Sequence, residues 1–359
     1  MVNISTDYTH TLLAGLNNVQ RATSFLRDRY FPTNTATDIF NTEKVLVDYK
    51  DGDRKVAPFI LAGGKEVGRG GFQTVEFNPP RIAPKMPCTI DDLKKRGFGE
   101  AIESGLTPAE RALKMNIEDL QDLDRRITRR EELLCAEILL NNKVDMVHQN
   151  SESDTQTTTV TLKFYTGDTN PQAYTTAAYW DGAGAKIVDD LFTMANELKQ
   201  RGRNVADVVL GNGAARAFIT DPEVLKLLDT RNYLIGQVAP VELPSGAFQI
   251  GVIVAYGIRL NVFSYPETYT DDAGATKTFI PSGAVIVTAP GAGRTLYGCV
   301  TQLEDDKEFY SYPGRRVPKY LADEANDKRT LTLTAKPVPC PNASFGWIAM
   351  ADCLTPDAG

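Results

Sequence analysis

The chain has 359 residues, enough for two or three domains with a sizeable core, and its 42% apolar content excludes disorder for the bulk. A formal charge of -7 argues against a general nucleic-acid binder held by phosphate contacts. Five scattered cysteines with no C-x-x-C pair give no zinc signature and fit free thiols in a reducing compartment.

Residues 1–45 are polar and weakly patterned. Leu12, Leu13, Leu16 and Val19 allow a short amphipathic helix that Phe31-Pro32-Thr33-Asn34 breaks, so an extended arm is expected. The polar start, Asn3 to His10, lacks a signal-peptide layout, and no apolar run reaches membrane-span length, so a soluble cytosolic product is expected. Val45-Leu46-Val47 and Val56 to Leu61 read as strands, as does the alternation of Phe72, Val75 and Phe77. Gly63 to Gly71 is a glycine-rich tip between them, and Pro79, Pro80, Pro84 and Pro87 close the stretch. From Arg54 to Arg96 there are nine Lys or Arg against four Asp or Glu, a local excess of five on an acidic chain. Such a protruding basic hairpin, residues 46–98, is expected to pack on another subunit.

Thr107-Pro108-Ala109-Glu110 is a capping box with proline at the first helical position. Leu113, Ile117, Leu120, Ile127, Leu134 and Ile138 lay an apolar stripe along the following residues, and neither proline nor glycine interrupts Ala109 to Asn142. The spacing predicts one helix about 50 Å long, a spine between separate parts of the molecule. A helical hairpin broken near Arg125 is the competing reading. Arg125, Arg126, Arg129 and Arg130 could touch phosphate. Asp122, Asp124, Glu131 and Glu132 stand three or four residues away, however, so a solvated or intersubunit charge network is expected.

Short polar strands follow to Ala173. From Trp180 a compact α/β unit is predicted, with a helix over Ala185 to Arg201, a strand over Val205 to Leu210, a helix over Ala214 to Thr220 and another after Asp221-Pro222. Gly202 stops the first of these helices, and strands at Ile250 to Ala255 and Arg259 to Phe263, around Tyr256-Gly257, with others at Phe279-Ile280 and Ala284 to Thr288, complete the unit. After Pro290 the chain is expected to be irregular and charged through Lys328. Strands at Thr330 to Ala335 and Phe345 to Ala351 end it.

No catalytic constellation is visible. His10 and His148 have no metal-spaced companions. Pro290 to Thr295 fails as a phosphate loop, because Thr288 stands where the first glycine belongs and Arg294 replaces the lysine. Gly211-Asn212-Gly213 lacks the third glycine of a dinucleotide fingerprint. Asp189-Asp190 are adjacent and cannot share a helix face. Cys135 and Cys353 read as small buried groups. No enzyme activity, cofactor or metal is expected.

The order of parts, with Arg69-Gly70-Gly71, Glu76-Phe77, Pro79 and Lys85 in the hairpin, Asp229-Thr230-Arg231, Phe279-Ile280-Pro281 and Leu296-Tyr297-Gly298-Cys299, resembles the lambda-type major capsid protein E family of tailed phages. The resemblance implies an α+β, Hong Kong 97-like capsid fold. Its parts would be an N-terminal arm (1–45), an extended β-hairpin loop (46–98), a peripheral domain with the spine helix (99–179), an axial domain (180–300) and a return to the peripheral domain (301–359). It implies self-assembly as hexamers and pentamers into an icosahedral shell around phage double-stranded DNA, with no membrane and no sequence-specific DNA contact. A decoration protein, a scaffold or protease and a portal are implied partners. The loop from Arg231 to Ser245 would point to the capsomer axis, and Lys65 is not expected to crosslink. Residues expected at intersubunit or decoration contacts are Arg54, Lys65, Arg69, Phe72, Glu76, Arg81, Lys85, Arg125 and Arg129. An encapsulin-like compartment shell is the alternative, and an α/β ligand-binding enzyme the third reading.

Overall fold

The computed structural model describes residues 24–49, 73–89, 92, 108–149, 157–165, 167–229, 241–243, 246–271, 273–304, 307–323, 328–343 and 345–356. The spine helix runs unbroken over Pro108–Asn141, which excludes the hairpin reading. It stops where Asn142 turns left-handed at φ 54, a conformation asparagine tolerates. Its length follows from having two separate partners, one for each half.

The first partner is a seven-stranded sheet. In spatial order it comprises Ala173–Tyr174, Ile348–Met350, Val285–Thr288, Asp207–Leu210, Ile258–Ser264, Phe248–Ala255 and Val241–Glu242. The middle strands Asp207–Leu210 and Val285–Thr288 are buried at every residue, as expected of strands covered on both faces. Val208, Leu210, Val285 and Val287 face helices Ile187–Gln200 and Asn212–Thr220. Their alternates Val209 and Ile286 face the opposite layer, built by Leu134, Ile138 and Leu139 of the spine helix and by Phe25, Leu26, Tyr30 and Phe31. The second partner is the three-stranded sheet of Lys85–Thr89, Lys328–Thr334 and Val317–Asp323. There Leu120, Leu123 and Ile127 pack on Leu331, Leu333 and Ala335.

The sheet's connections carry their local signals. Helix Ile187–Gln200 ends at Gly202, φ 77, where the Gly202 amide donates to the Lys199 carbonyl and the Arg203 amide to that of Leu198. That is a Schellman stop, open to glycine because it has no Cβ. Asp221 accepts the Glu223 and Val224 amides, both at 2.9 Å, and so caps Pro222–Asp229. Tyr256 and Gly257, φ 45 and 92, make the two-residue hairpin turn predicted between Phe248–Ala255 and Ile258–Ser264.

Three expectations need correction. The extended arm does not hold throughout: Phe25–Tyr30 is a helix whose Leu26 and Tyr30 are fully buried. Six residues are too short to signal a helix locally, and tertiary burial, worth roughly 1.5–3 kcal/mol per large side chain, supplies the stability instead. The stretch after Pro290 is not irregular. Gly293–Tyr297, Val300–Leu303, Phe309–Tyr312 and Val317–Asp323 are strands, and Pro337–Pro341 pairs with the first of them despite its prolines, which a strand hydrogen-bonded on one edge tolerates. Ile348–Met350 inserts into the seven-stranded sheet between Val285–Thr288 and Ala173–Tyr174. Phe279-Ile280, predicted as a strand, is a buried bend that follows strand Thr276–Thr278.

Candidate functional site

The charged middle of the spine helix divides by side. Asp124, Glu131 and Glu132 turn inward to partners distant in sequence, while Asp122 stays outward with Arg126. Arg316 donates Nε to Asp124 Oδ1 at 2.7 Å, Nη1 to Glu131 Oε1 at 2.7 Å and Nη2 to Glu131 Oε2 at 2.9 Å. Arg27 of helix Phe25–Tyr30 donates Nη1 to Glu131 Oε2 at 2.7 Å, and the Tyr297 hydroxyl donates to Oε1 at 2.9 Å. Glu132 accepts the Leu26 and Arg27 amides at 2.8 and 3.0 Å, serving the N–H groups that a helix start leaves open. The cluster joins the N-terminal helix, the spine, strand Gly293–Tyr297 and the edge of the three-stranded sheet in one network.

Electrostatics follow from that geometry. Burial alone would raise the Glu131 carboxyl, but Arg316 and Arg27 outweigh it and hold it at about 2. Burial dominates at Glu132 and pushes its carboxyl up despite the two amides. Burial, with Glu131 beside it, pushes the Tyr297 hydroxyl up to about 12. The expectation of a solvated or intersubunit network therefore fails for Asp124 and Glu131, which are neutralised within their own chain, and for Glu132, which is buried against the Leu26 and Arg27 amides. Helical spacing placed the carboxylates on the helix but could not say which side a distant arginine would cover.

Other marked residues have structural tasks. Asp189 and Asp190 diverge as expected: Asp189 accepts the Tyr256 hydroxyl at 2.7 Å, while buried Asp190 accepts Tyr174, Thr176 and Trp180 at 2.8, 2.8 and 2.9 Å. Cys135 and Cys353 are buried free thiols, and burial pushes the Cys353 thiol up to about 12. Gly293 lies in a strand against the Phe31 ring, not in a phosphate loop. No group of three or more His, Cys, Asp or Glu able to hold a metal occurs among the described residues, nor is any described helix long and apolar enough to cross a membrane.

Of the expected contact residues, Glu76, Arg81, Lys85, Arg125 and Arg129 are all exposed. Glu76 sits at the base of the hairpin, where Val45–Tyr49 pairs antiparallel with Gln73–Phe77, and ion-pairs with Lys44. Arg54, Lys65, Arg69 and Phe72 lie outside the described residues, as do both histidine side chains and most of the Arg231 to Ser245 loop.

The sequence reading missed a set of bare apolar surfaces. In the ribbon Val300–Leu303/Phe309–Tyr312, Leu303 and Phe309 stand directly opposite each other and are 40% and 74% exposed. Leu113 and Ile117, the N-terminal end of the spine's apolar stripe, are also exposed, as is Leu46 on the hairpin. Exposed side chains of this size grouped on ribbons and a helix end mark contacts with other molecules. The aromatic cluster Phe309, Tyr310 and Tyr312 was the available signal, hidden by the charges at Glu304 to Lys307.

The family model for phage major capsid protein E matches residues 8–349. Among solved structures, the capsid protein of a prophage of E. coli CFT073 is 15% identical and overlays with a TM-score of 0.66, covering 96% of this chain and 98% of that one. The capsid of Ralstonia phage GP4 is 12% identical with a TM-score of 0.51, covering 95% and 94%. No functionally curated protein matches.

Proposed function

The chain belongs to the phage major capsid protein E family and is a capsid shell protein of Hong Kong 97-like fold, and we propose that its copies join as hexamers and pentamers into an icosahedral shell around phage double-stranded DNA. The match over nearly the whole chain carries this reading. It favours a phage shell over a cargo compartment of the same fold and over a catalytic role. In this reading, residues 46–98 form a loop that lies over a neighbouring copy, the spine and three-stranded sheet form the peripheral part, and the seven-stranded sheet is the axial part. The axial part then includes Ala173–Tyr174 and Ile348–Met350 as well as residues 180–300. The shell assembles in the host cytoplasm, and decoration, scaffold or protease and portal proteins join it there.

The bare surfaces support the reading. Obligate interfaces resemble a core cut in half, and Phe309, Leu303, Leu113 and Ile117 offer such halves. Replacing Phe309 and Leu303 by serine removes one of them without touching the core. Particle yield, read by sedimentation, is expected to collapse, while the variant subunit unfolds within about 0.5 kcal/mol of the parent, as surface changes do. Normal particle yield from this variant would remove the ribbon from the interface.

A further inference from the structure

Two arginines on the outward face of the spine helix, Arg125 and Arg129, carry positive charge that the helix's own carboxylates do not neutralise. Arg125, Arg126, Arg129 and Arg130 are all exposed. Asp124 and Glu131 turn inward to Arg316 and Arg27, and Glu132 to backbone amides. Of the remaining carboxylates, Asp122 is taken by Arg126 and Glu118 by Lys114, and Glu137 lies near enough to Arg130 to feel its charge. Arg125 and Arg129 make no ion pair among the described residues. They are spaced i,i+4, as are Arg126 and Arg130, so each pair repeats at ~6 Å along a straight, rigid axis.

We propose that this arginine face contacts the phosphate backbone of the duplex DNA enclosed by the shell, a step that rests on the shell reading above. Arginine's planar fork suits phosphate oxygens and needs no base sequence. The acidic net charge of the chain does not oppose this, because charges further away than a Debye length of about 8–10 Å are largely screened. Each copy engages only a few phosphates and binds weakly. Repetition over the shell wall lines the duplex without fixing its register. A regular row of charges on a rigid helix complements a regular polyanion better than it does the irregular charge pattern of a second copy.

The test uses full-length unassembled subunits and a labelled random-sequence duplex of about 20 base pairs, with anisotropy read across about 50–200 mM salt. Parent subunits are expected to bind with log K falling against log salt with a slope of about -3, for three to four phosphates. Arg125→Glu with Arg129→Glu is expected to weaken binding about tenfold or more and to reduce the slope by about 2. An equal charge change elsewhere, Lys277→Glu with Lys143→Glu, leaves the slope in place. Unchanged duplex binding by the arginine variant overturns the proposal. So does loss of shell formation with duplex binding intact, which assigns the face to another copy. Shell formation of the parent is scored separately by sedimentation, so failure of the shell reading is seen as absent particles whatever the DNA result.

Discussion

Replacing Arg316 by methionine keeps the apolar stem and removes the guanidinium that Asp124, Thr128 and Glu131 of the spine share. Asp124, 4% exposed, is then left with no charged partner among the described residues, while Glu131 keeps Arg27 and Tyr297. Breaking a buried pair from one side costs about 3–5 kcal/mol, because the stranded charge stays out of water. The pH dependence gives an independent estimate. A Glu131 carboxyl held at about 2, against an ordinary 4.5, contributes about 3 kcal/mol to stability. Its folded value is lowered, so that contribution is complete above about pH 4.5 and is lost as pH falls towards 2. Without Arg316, Glu131 has only Arg27 and Tyr297 to set against burial and its carboxyl moves up, so the acid-sensitive part of the stability shrinks. Urea unfolding of unassembled subunits, followed by the fluorescence of buried Trp180 and Trp347, measures both effects. The account expects Arg316→Met to lose about 3–5 kcal/mol at neutral pH and the gap to narrow towards pH 2. A loss under about 1 kcal/mol, or a gap that does not change with pH, would refute it.

Two further substitutions probe the seven-stranded unit. A Cβ on Gly211 would lie 2.0 Å from the Pro281 carbonyl oxygen and 2.7 Å from that of Ser282, both backbone. Gly211→Ala is therefore expected to cost at least about 3 kcal/mol, the upper range for overpacking, and a melting temperature near the parent's would contradict the contact. Asp221→Ala removes the acceptor of two amides and is expected to cost about 1 kcal/mol, with faster hydrogen exchange at Glu223 and Val224. Unchanged exchange there would show that the cap is not needed.

The spine helix was legible because a proline start and an uninterrupted apolar stripe are local signals, and the observed Pro108–Asn141 differs from the reading by a residue at each end. The helices and hairpin of the α/β unit were legible for the same reason, through Gly202, Asp221-Pro222 and Tyr256-Gly257. Helix Phe25–Tyr30 was not, since its four large buried side chains find partners more than a hundred residues away. The insertion of Ile348–Met350 into the sheet is likewise a long-range pairing with no local mark. At the candidate site, helical spacing showed which charges lie near one another, but the destination of Glu131 depended on Arg27 and Arg316, neither of which any periodicity linked to it. Phe309 was hidden differently: exposure on a two-stranded ribbon is a property of what fails to cover it, and the aromatic cluster does not encode that.

Negative-stain microscopy of the purified chain, with sedimentation alongside, tests the shell assignment most directly. Closed particles, or rings of five or six subunits, are the predicted result. A uniform monomer or dimer, under assembly conditions and with scaffold supplied, would contradict it.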